Sequence, residues 1–197
     1  MTEKDELRRI AKEIRKKVPD RAQKSAEILA RALRMDQVQS ANVIFTYMGK
    51  GSEVATHTLF GHPLVRAKRL GVPYMIGDTM RIAEVKAEAE LESGSFGILE
   101  PTQAVQSDLT RQLFDELVDV AFIPALAFDL NGHRLGHGKG HFDRILPSLS
   151  RRALCVGLAF EDQIVARLPV EAHDFAVDMV VTENRIIRCR DERTSHT

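Results

Sequence analysis

The chain has 197 residues, of which 44% are hydrophobic and 28% are charged, and its formal net charge at pH 7 is zero. This length favours a single domain with a real core, and the balanced charge argues against broad, nonspecific binding to nucleic acid. No apolar run approaches the roughly 20 residues that cross a bilayer, and the N-terminus does not resemble a signal or transit peptide. We therefore expect a cytoplasmic, monomeric protein with one domain over residues 1–197, of which about 190–197 form a frayed tail.

The N-terminal part of the sequence predicts two helices and a strand. A helix is expected over the first 17 residues because apolar residues recur at helical spacing. These are Leu7, Ile10, Ala11 and Ile14. Pro19 breaks this helix, and Asp20 is expected to cap a second one that runs to about Leu33. The run ANVIFTYM, residues 41–48, is rich in β-branched and aromatic residues and predicts a buried strand.

The middle of the chain predicts further helices and strands. A helix from about Thr56 to Leu70 is expected to end at Gly71, and another is expected over Leu109 to Leu117, whereas 93–101 is expected to be a loop. Strands are expected at residues 72–76, 81–85, 118–124 and 153–160. The last two runs are apolar on both faces, which is typical of parallel strands that are covered by helices on both sides.

The C-terminal part predicts a helix over 161–168 and then a closing strand pair. AVDMVVTEN and RIIRC form this pair, with Asn184 at the turn. Strands that alternate with helices for most of the length predict an α/β domain with a largely parallel sheet. Ligands of such domains bind in loops at the carboxyl ends of strands.

The stretch RLGHGKGHFDR, residues 134–144, combines alternating glycines with positive charge. Glycine lets backbone N–H groups approach a ligand closely, and N–H groups in a loop that leads into a helix favour anions. Arg134 and Lys139 add positive charge, so the stretch suits a polyphosphate, although an ordinary surface loop is the alternative. A lone carboxylate, Asp143, would repel phosphates unless a Mg²⁺ ion lay between them.

Three histidines in and beside this stretch suggest a second alternative. His133, His137 and His141 recur every four residues, a spacing that could form a zinc-binding face on a helix. The glycines between them disfavour a helix, and neither a cysteine nor an HExxH motif accompanies them. Zinc binding is therefore the less favoured interpretation.

The glycine-rich stretch, extended to IPALAFDLNGHRLGHGKGHFDR, resembles the signature of the 5-formyltetrahydrofolate cyclo-ligase family. Four other segments resemble that family in the same order along the chain: KDELRR, YMGKGSEVATHTL, FGILEP and DFAVDMVVTE. The resemblance implies a three-layer α/β/α fold with a largely parallel central sheet, as in ribose-5-phosphate isomerase-like and CoA-transferase-like proteins. It also implies an enzyme that uses ATP and Mg²⁺ to close 5-formyltetrahydrofolate to 5,10-methenyltetrahydrofolate, through a phosphorylated formyl intermediate, with release of ADP and phosphate.

The resemblance further implies roles for individual residues. The ATP contacts fall on Lys4, Arg8, Arg134, Leu135, Gly136, His137, Gly138, Lys139, Gly140 and His141. Within this set, Arg134 and Lys139 are the expected catalytic residues. The folate contacts fall on Tyr47, Met48, Glu53, Glu100 and His141. The Mg²⁺ ligands are expected to be Asp143 and Asp178. Lys4 and Arg8 are four residues apart and can face one ligand from one helix, although a solvated helix face is the alternative.

Two departures from the family pattern keep other functions open. The family often has Arg where this chain has His137, and Tyr where it has His141. A non-catalytic paralogue that binds nucleotide or folate is therefore an alternative. A sugar-phosphate isomerase on the same fold is a third hypothesis, which is disfavoured because an isomerase needs neither a triphosphate nor Mg²⁺.

Overall fold

The computed structural model describes residues 2–94, 97–138, 140–171 and 174–189. Its helices are α1 (Glu3–Lys17), α2 (Arg21–Leu33), α3 (Asp36–Ser40), α4 (Pro63–Arg66), α5 (Gln103–Ser107) and α6 (His141–Ile145). Its strands are β1 (Val43–Phe45), β2 (Arg69–Ile76), β3 (Thr79–Glu84), β4 (Leu91–Ser93), β5 (Leu99–Pro101), β6 (Gln112–Leu113), β7 (Val120–Ile123), β8 (Ala127–Asp129), β9 (Arg134–Leu135), β10 (Leu154–Leu158), β11 (Ile164–Val165), β12 (Met179–Val181) and β13 (Ile186–Arg188). The predicted tail at 190–197 lies outside the described residues.

An eight-stranded sheet in the order β13-β12-β10-β7-β1-β2-β3-β6 forms the centre of the described structure. The five strands from β12 to β2 are parallel to their neighbours, and the outer strands β13, β3 and β6 pair antiparallel. The largely parallel sheet and the closing strand pair are thus confirmed. A smaller sheet, β11-β8-β9, carries the start of the glycine-rich stretch.

Both faces of the central sheet are buried, because successive side chains of a strand point to opposite sides. Ile44 in β1 packs in one cluster with residues of α2 and α3, whereas Phe45 packs in another with Ile145 of α6 and Phe128 of β8. A third, smaller cluster joins Ala11 of α1 to the small sheet. Helices therefore cover one face, and α6 with the small sheet covers the other.

Helix α1 begins at a capping box in which Thr2 and Asp5 bond to each other's backbone. The prediction of this helix is confirmed, but its predicted buried face is shifted. Ile10 and Ile14 are about two-fifths exposed, whereas Ala11 and Arg15 are buried. The stripe of α1 that faces the core, with Ala11 and Arg15, thus lies next to the more apolar stripe with Ile10 and Ile14. Helix α2 also matches its prediction, although Asp20 adopts a left-handed conformation and its side chain makes no capping bond.

The predicted helix from Thr56 to Leu70 is wrong. A short 3₁₀ helix, His57–Gly61, is followed by α4, and strand β2 has already begun at Arg69. Pro63 sits in the first turn of α4, a position that tolerates proline but begins a new helix and interrupts a preceding one. Gly71 lies inside β2 and does not end a helix. A Cβ there would lie 2.6 Å from Ile82 Cγ2, so close strand packing explains the glycine.

The predicted helices at 109–117 and 161–168 are also wrong. In the first region two 3₁₀ turns flank β6, and Leu109 and Phe114 are 85% and 70% exposed, so no apolar face holds a helix against the core. In the second, the 3₁₀ turn Glu161–Gln163 leads into β11, which pairs with β8. The expected loop at 93–101 includes the last residue of β4 and the whole of β5, and these two strands pair antiparallel.

No described helix combines the length and apolar character that a bilayer crossing requires. Neither cysteine forms a disulfide: Cys155 is buried in β10, and Cys189 is half-buried beyond β13.

Candidate functional site

The turn between β8 and β9 directly precedes the glycine-rich stretch, which begins at Arg134 in β9. The carboxylate of Asp129 is fully buried at this turn and accepts hydrogen bonds from the backbone N–H groups of Asn131 and His133, at 2.9 and 3.0 Å. Its other oxygen accepts from Leu168 N and lies 3.1 Å from His133 Nδ1. Gly132 has a φ of 89°, a left-handed conformation that suits glycine at the end of an Asn-Gly turn.

The loop that follows β9 brings backbone groups to the surface and then enters α6. Gly138 and Gly140 have φ values of 89° and 65°, a left-handed conformation that glycine adopts without steric cost. Gly140 is the residue before α6, so the predicted transition from loop to helix is confirmed. Leu135 is buried in β9, and Lys139 lies outside the described residues.

Arg134 is buried at the base of this loop, with 4% of its side chain exposed. Its guanidinium donates to the backbone carbonyl of Phe175 and forms an ion pair with Asp143, whose side chain is one-third exposed. Burial lowers the pKa of Arg134 from its usual range, and the carboxylate of Asp143 opposes that shift. One cation and one acid of the predicted site are thus paired with each other.

Lys4 and Arg8 lie on the face of α1 that borders the same loop. Arg8 Nε donates to Gly136 O at 3.3 Å, and a Cβ on Gly138 would lie 3.4 Å from Arg8 Cζ. Lys4 Nζ lies 2.9 Å from carboxylate oxygens of both Glu171 and Asp174. Burial opposes the charge on Lys4, but hydrogen bonds to Glu171 and Asp174 raise its pKa. The two cations therefore face the protein, and a simply solvated helix face does not describe them.

Glu53 lies on the opposite side of the glycine loop. Its side chain is 14% exposed, and one oxygen lies 3.4 Å from His137 Nε2 and 3.5 Å from Arg15 Nη1. The other oxygen accepts from the backbone N–H of Lys50 at 3.0 Å. Burial alone would raise the pKa of Glu53, but the bonds from His137 and Lys50 N and the charge of Arg15 hold it below its usual range. A buried carboxylate thus borders the cationic loop.

Of the other predicted folate residues, Tyr47 is close enough to Glu53 for their charges to interact. Tyr47 and Met48 are buried in the core, and the Tyr47 hydroxyl donates to Val54 O at 3.2 Å. Burial raises the pKa of Tyr47 well above its usual range. Glu100 is half-buried on β5, and a Cβ on Gly94 would lie 2.5 Å from its Cδ.

The three histidines have different partners. His133 contacts Asp129, His137 contacts Glu53, and His141 Nδ1 lies 3.1 Å from Arg144 Nη2. Within the described ranges, no group of three or more His, Cys, Asp or Glu side chains could hold a metal ion. The zinc interpretation therefore gains no support from the geometry.

The second predicted Mg²⁺ ligand, Asp178, precedes β12. Its Oδ2 accepts from the backbone N–H of Cys155 at 2.7 Å, and its own N–H donates to Cys155 O. This carboxylate thus fixes the register between β10 and β12 at their amino ends.

Reasoning from the sequence missed Arg15. Its side chain is 5% exposed, and it donates to Ser52 Oγ and Ala125 O, both at 3.1 Å. The available signal was its spacing, because Arg15 follows Leu7 and Ala11 at intervals of four residues on one stripe of α1.

Backbone N–H groups and cations that surround one loop can hold a polyphosphate. A buried carboxylate beside them can accept N–H groups of a flat heterocycle. The arrangement thus provides groups that suit a phosphorylated ligand and a carboxylate that can accept N–H groups, next to one loop.

Comparisons with known proteins identify the family of the chain. A family model described as the 5-formyltetrahydrofolate cyclo-ligase family matches residues 1–183. The chain is 29% identical over 177 residues to a 5-formyltetrahydrofolate cyclo-ligase of Haemophilus influenzae, with 87% of this chain and 92% of that protein covered. It is 27% identical over 175 residues to a mouse protein of the same name, with 84% and 85% covered.

The fold is similar to the NMR structure of 5,10-methenyltetrahydrofolate synthetase from Aquifex aeolicus. The TM-score is 0.83 and the identity is 31%, with 100% of this chain and 97% of that chain covered. The three-layer α/β/α fold that the resemblance implied is confirmed.

Proposed function

Because the chain belongs to the 5-formyltetrahydrofolate cyclo-ligase family, we propose that it converts 5-formyltetrahydrofolate and ATP to 5,10-methenyltetrahydrofolate, ADP and phosphate. One observation carries the proposal beyond family membership. The glycine loop contacts Arg8 through Gly136 O and Glu53 through His137. A residue expected to bind ATP and one expected to bind folate thus meet at a single loop.

The proposed reaction passes through a phosphorylated formyl group. The formyl oxygen attacks the terminal phosphate of ATP, which turns that oxygen into a good leaving group. The neighbouring folate amine then attacks the activated carbon, and phosphate departs. Such chemistry depends on positioning and charge neutralisation more than on a side-chain nucleophile. We assign charge neutralisation at the phosphate to Arg134 and Lys139.

The other assignments follow the two sides of the loop. Lys4, Arg8 and the backbone of the glycine loop would bind ATP, which is consistent with their clustering at one end of α1. Glu53 would accept N–H groups of the pterin ring, with Glu100 and His141 alongside. Tyr47 and Met48 would line the folate side of the site from the core. Both are buried, and the Tyr47 hydroxyl bonds to Val54 O, the residue after Glu53.

A magnesium ion fits Asp143 in this scheme. Mg²⁺ is usually bound by one or two carboxylates together with substrate phosphates and waters, and the Asp143 side chain is one-third exposed beside the glycine loop. Asp178 would be the second acid. Bound there, the ion would neutralise negative charge on the phosphates. Arg134, which already pairs with Asp143, would keep that carboxylate oriented.

An absorbance assay tests the proposal. The methenyl product absorbs in the near ultraviolet, so the purified chain should generate this signal from 5-formyltetrahydrofolate only when both ATP and Mg²⁺ are present. Asp143→Asn should abolish turnover without unfolding the protein. Asp78→Asn, at an exposed turn far from any described contact of the site, is the matched control and should retain activity.

Two results would contradict the proposal. A folded wild-type protein that produces no signal, although calorimetry shows that it binds ATP or folate, would favour the non-catalytic paralogue. Full activity in Asp143→Asn would remove the magnesium assignment while leaving the reaction intact.

A further inference from the structure

Arg15 is a buried cation whose role the proposed reaction does not yet explain. It lies on α1 two turns after Arg8, and its guanidinium enters the protein instead of the solvent. The guanidinium donates hydrogen bonds to three groups: the hydroxyl of Ser52, the backbone carbonyl of Ala125 and the carboxylate of Glu53. Because Ala125 follows β7, this side chain joins α1, the loop 49–53 and the carboxyl edge of the sheet.

Burial of an arginine is costly unless its charge is compensated and its N–H groups are bonded. Among the described contacts of Arg15, Glu53 supplies the acidic side chain, and burial lowers the pKa of Arg15 despite the charge of Glu53. A leucine or methionine would fill this position on α1 without that cost. The arginine therefore has a task that an apolar side chain could not perform.

We propose that Arg15 is a positioning residue for the folate side of the site, which aims the Glu53 carboxylate at the N–H groups of the pterin ring. This inference rests on the proposed function, and it assigns Arg15 an action through Glu53 without direct contact with either substrate. Ser52 and Ala125 hold the guanidinium in place, and the guanidinium in turn limits the rotation of Glu53 within its loop.

The charged groups that face Glu53 make the inference measurable. Arg15 approaches it from α1, His137 from the glycine loop and Tyr47 from the core, and the Lys50 N–H bonds to it from its own loop. Burial favours the protonated form of Glu53, so loss of Arg15 should raise its pKa. The ionised carboxylate accepts N–H groups more strongly than the protonated carboxyl group does, so when the pH is lowered folate affinity should begin to fall at a higher pH in an Arg15 variant.

The first test separates the two substrates. Arg15→Met should raise the KM for 5-formyltetrahydrofolate about tenfold or more while the KM for ATP stays within about twofold of wild type. Arg9→Met is the matched control, because Arg9 lies on the same helix but its side chain is 64% exposed and pairs with Glu6 at the surface. This control should behave as wild type.

The second test uses Glu53→Gln. An Arg15→Met substitution in this background should raise the folate KM no further, because the two residues act as one unit. The acid limb of the folate kcat/KM profile should shift to higher pH in Arg15→Met. If both KM values rise together, and rise again in the Glu53→Gln background, Arg15 is only structural and the inference is overturned. A wild-type folate KM in folded Arg15→Met also overturns it.

Two measurements keep the inference testable under other outcomes. If Arg15→Met does not fold, Arg15→Lys replaces it, since lysine keeps the charge but can reach fewer of the three acceptors. An unchanged folate KM in that variant would refute the role. If the wild type lacks turnover, the proposed function fails. The ¹³C carboxyl titration of Glu53 then still reports on Arg15, because an equal pKa with and without the arginine refutes the coupling.

Discussion

Replacement of Asp129 tests whether its buried carboxylate holds the turn that precedes the glycine loop. Four N–H donors point at its two oxygens. In Asp129→Asn, the amide can turn its NH₂ group toward His133 Nδ1, which accepts a hydrogen bond in the other tautomer. Leu168 N then faces a donor. One buried, unsatisfied donor costs about 1–3 kcal/mol, so Asp129→Asn should lower the free energy of unfolding by about 2 kcal/mol.

Asp129→Ala removes both acceptor oxygens and should cost more, about 4 kcal/mol, because Leu168 N is buried while the turn amides are only half-buried. Urea unfolding followed by far-ultraviolet circular dichroism measures both values, provided the slope against denaturant is unchanged. Asp108→Asn is the control, since Asp108 accepts bonds from Thr110 at an exposed 3₁₀ turn. Its midpoint should match wild type. A loss below about 1 kcal/mol in Asp129→Ala would refute the reasoning.

Three further predictions concern neighbouring positions. Gly132→Ala should destabilise by about 2–4 kcal/mol in urea, because φ is 89° and the new Cβ would lie 2.9 Å from Cys189 Cβ; a change within error would contradict this. Burial raises the pKa of Cys189 to about 11, so iodoacetamide at pH 8 should modify it on the order of 100-fold more slowly than a peptide thiol, and a peptide-like rate would disprove this. Arg8→Met should raise the KM for ATP more than that for folate, and equal increases in steady-state kinetics would count against its assignment.

The parallel core was predictable because its strands are apolar on both faces. Residues 118–124 and 153–160 contain β7 and β10, which no surface helix pattern could mimic. The wrong helix at 56–70 has a local cause in Pro63, which the sequence displays. The position of Gly71 inside a strand has no such local cause. It depends on Ile82, a neighbour on the paired strand β3.

The site was predictable only in part, because its geometry depends on contacts that are distant in sequence. Periodicity places Ile10, Ile14 and Arg15 near one another on α1, but it cannot tell which stripe is buried. The choice is made by acceptors 37 and 110 residues away, Ser52 and Ala125. A buried arginine is stable on that stripe only when those oxygens are present, so the spacing of Arg15 from Leu7 and Ala11 indicates a shared stripe but not that the stripe is buried.

The cations of the candidate site are held in position by the protein's own acids. Arg134 is buried against Asp143, and Lys4 bridges Glu171 and Asp174. Burial of Arg134 without a partner would cost several kcal/mol, so its acid allows positive charge to be fixed beside the glycine loop before a ligand binds, and the acids around Lys4 hold that partly buried cation in place. A polyphosphate would then exchange one set of charge-assisted hydrogen bonds for another, with little further ordering of side chains. Nucleotide affinity should therefore depend on Glu171 and Asp174 as well as on the cations that would contact the phosphates.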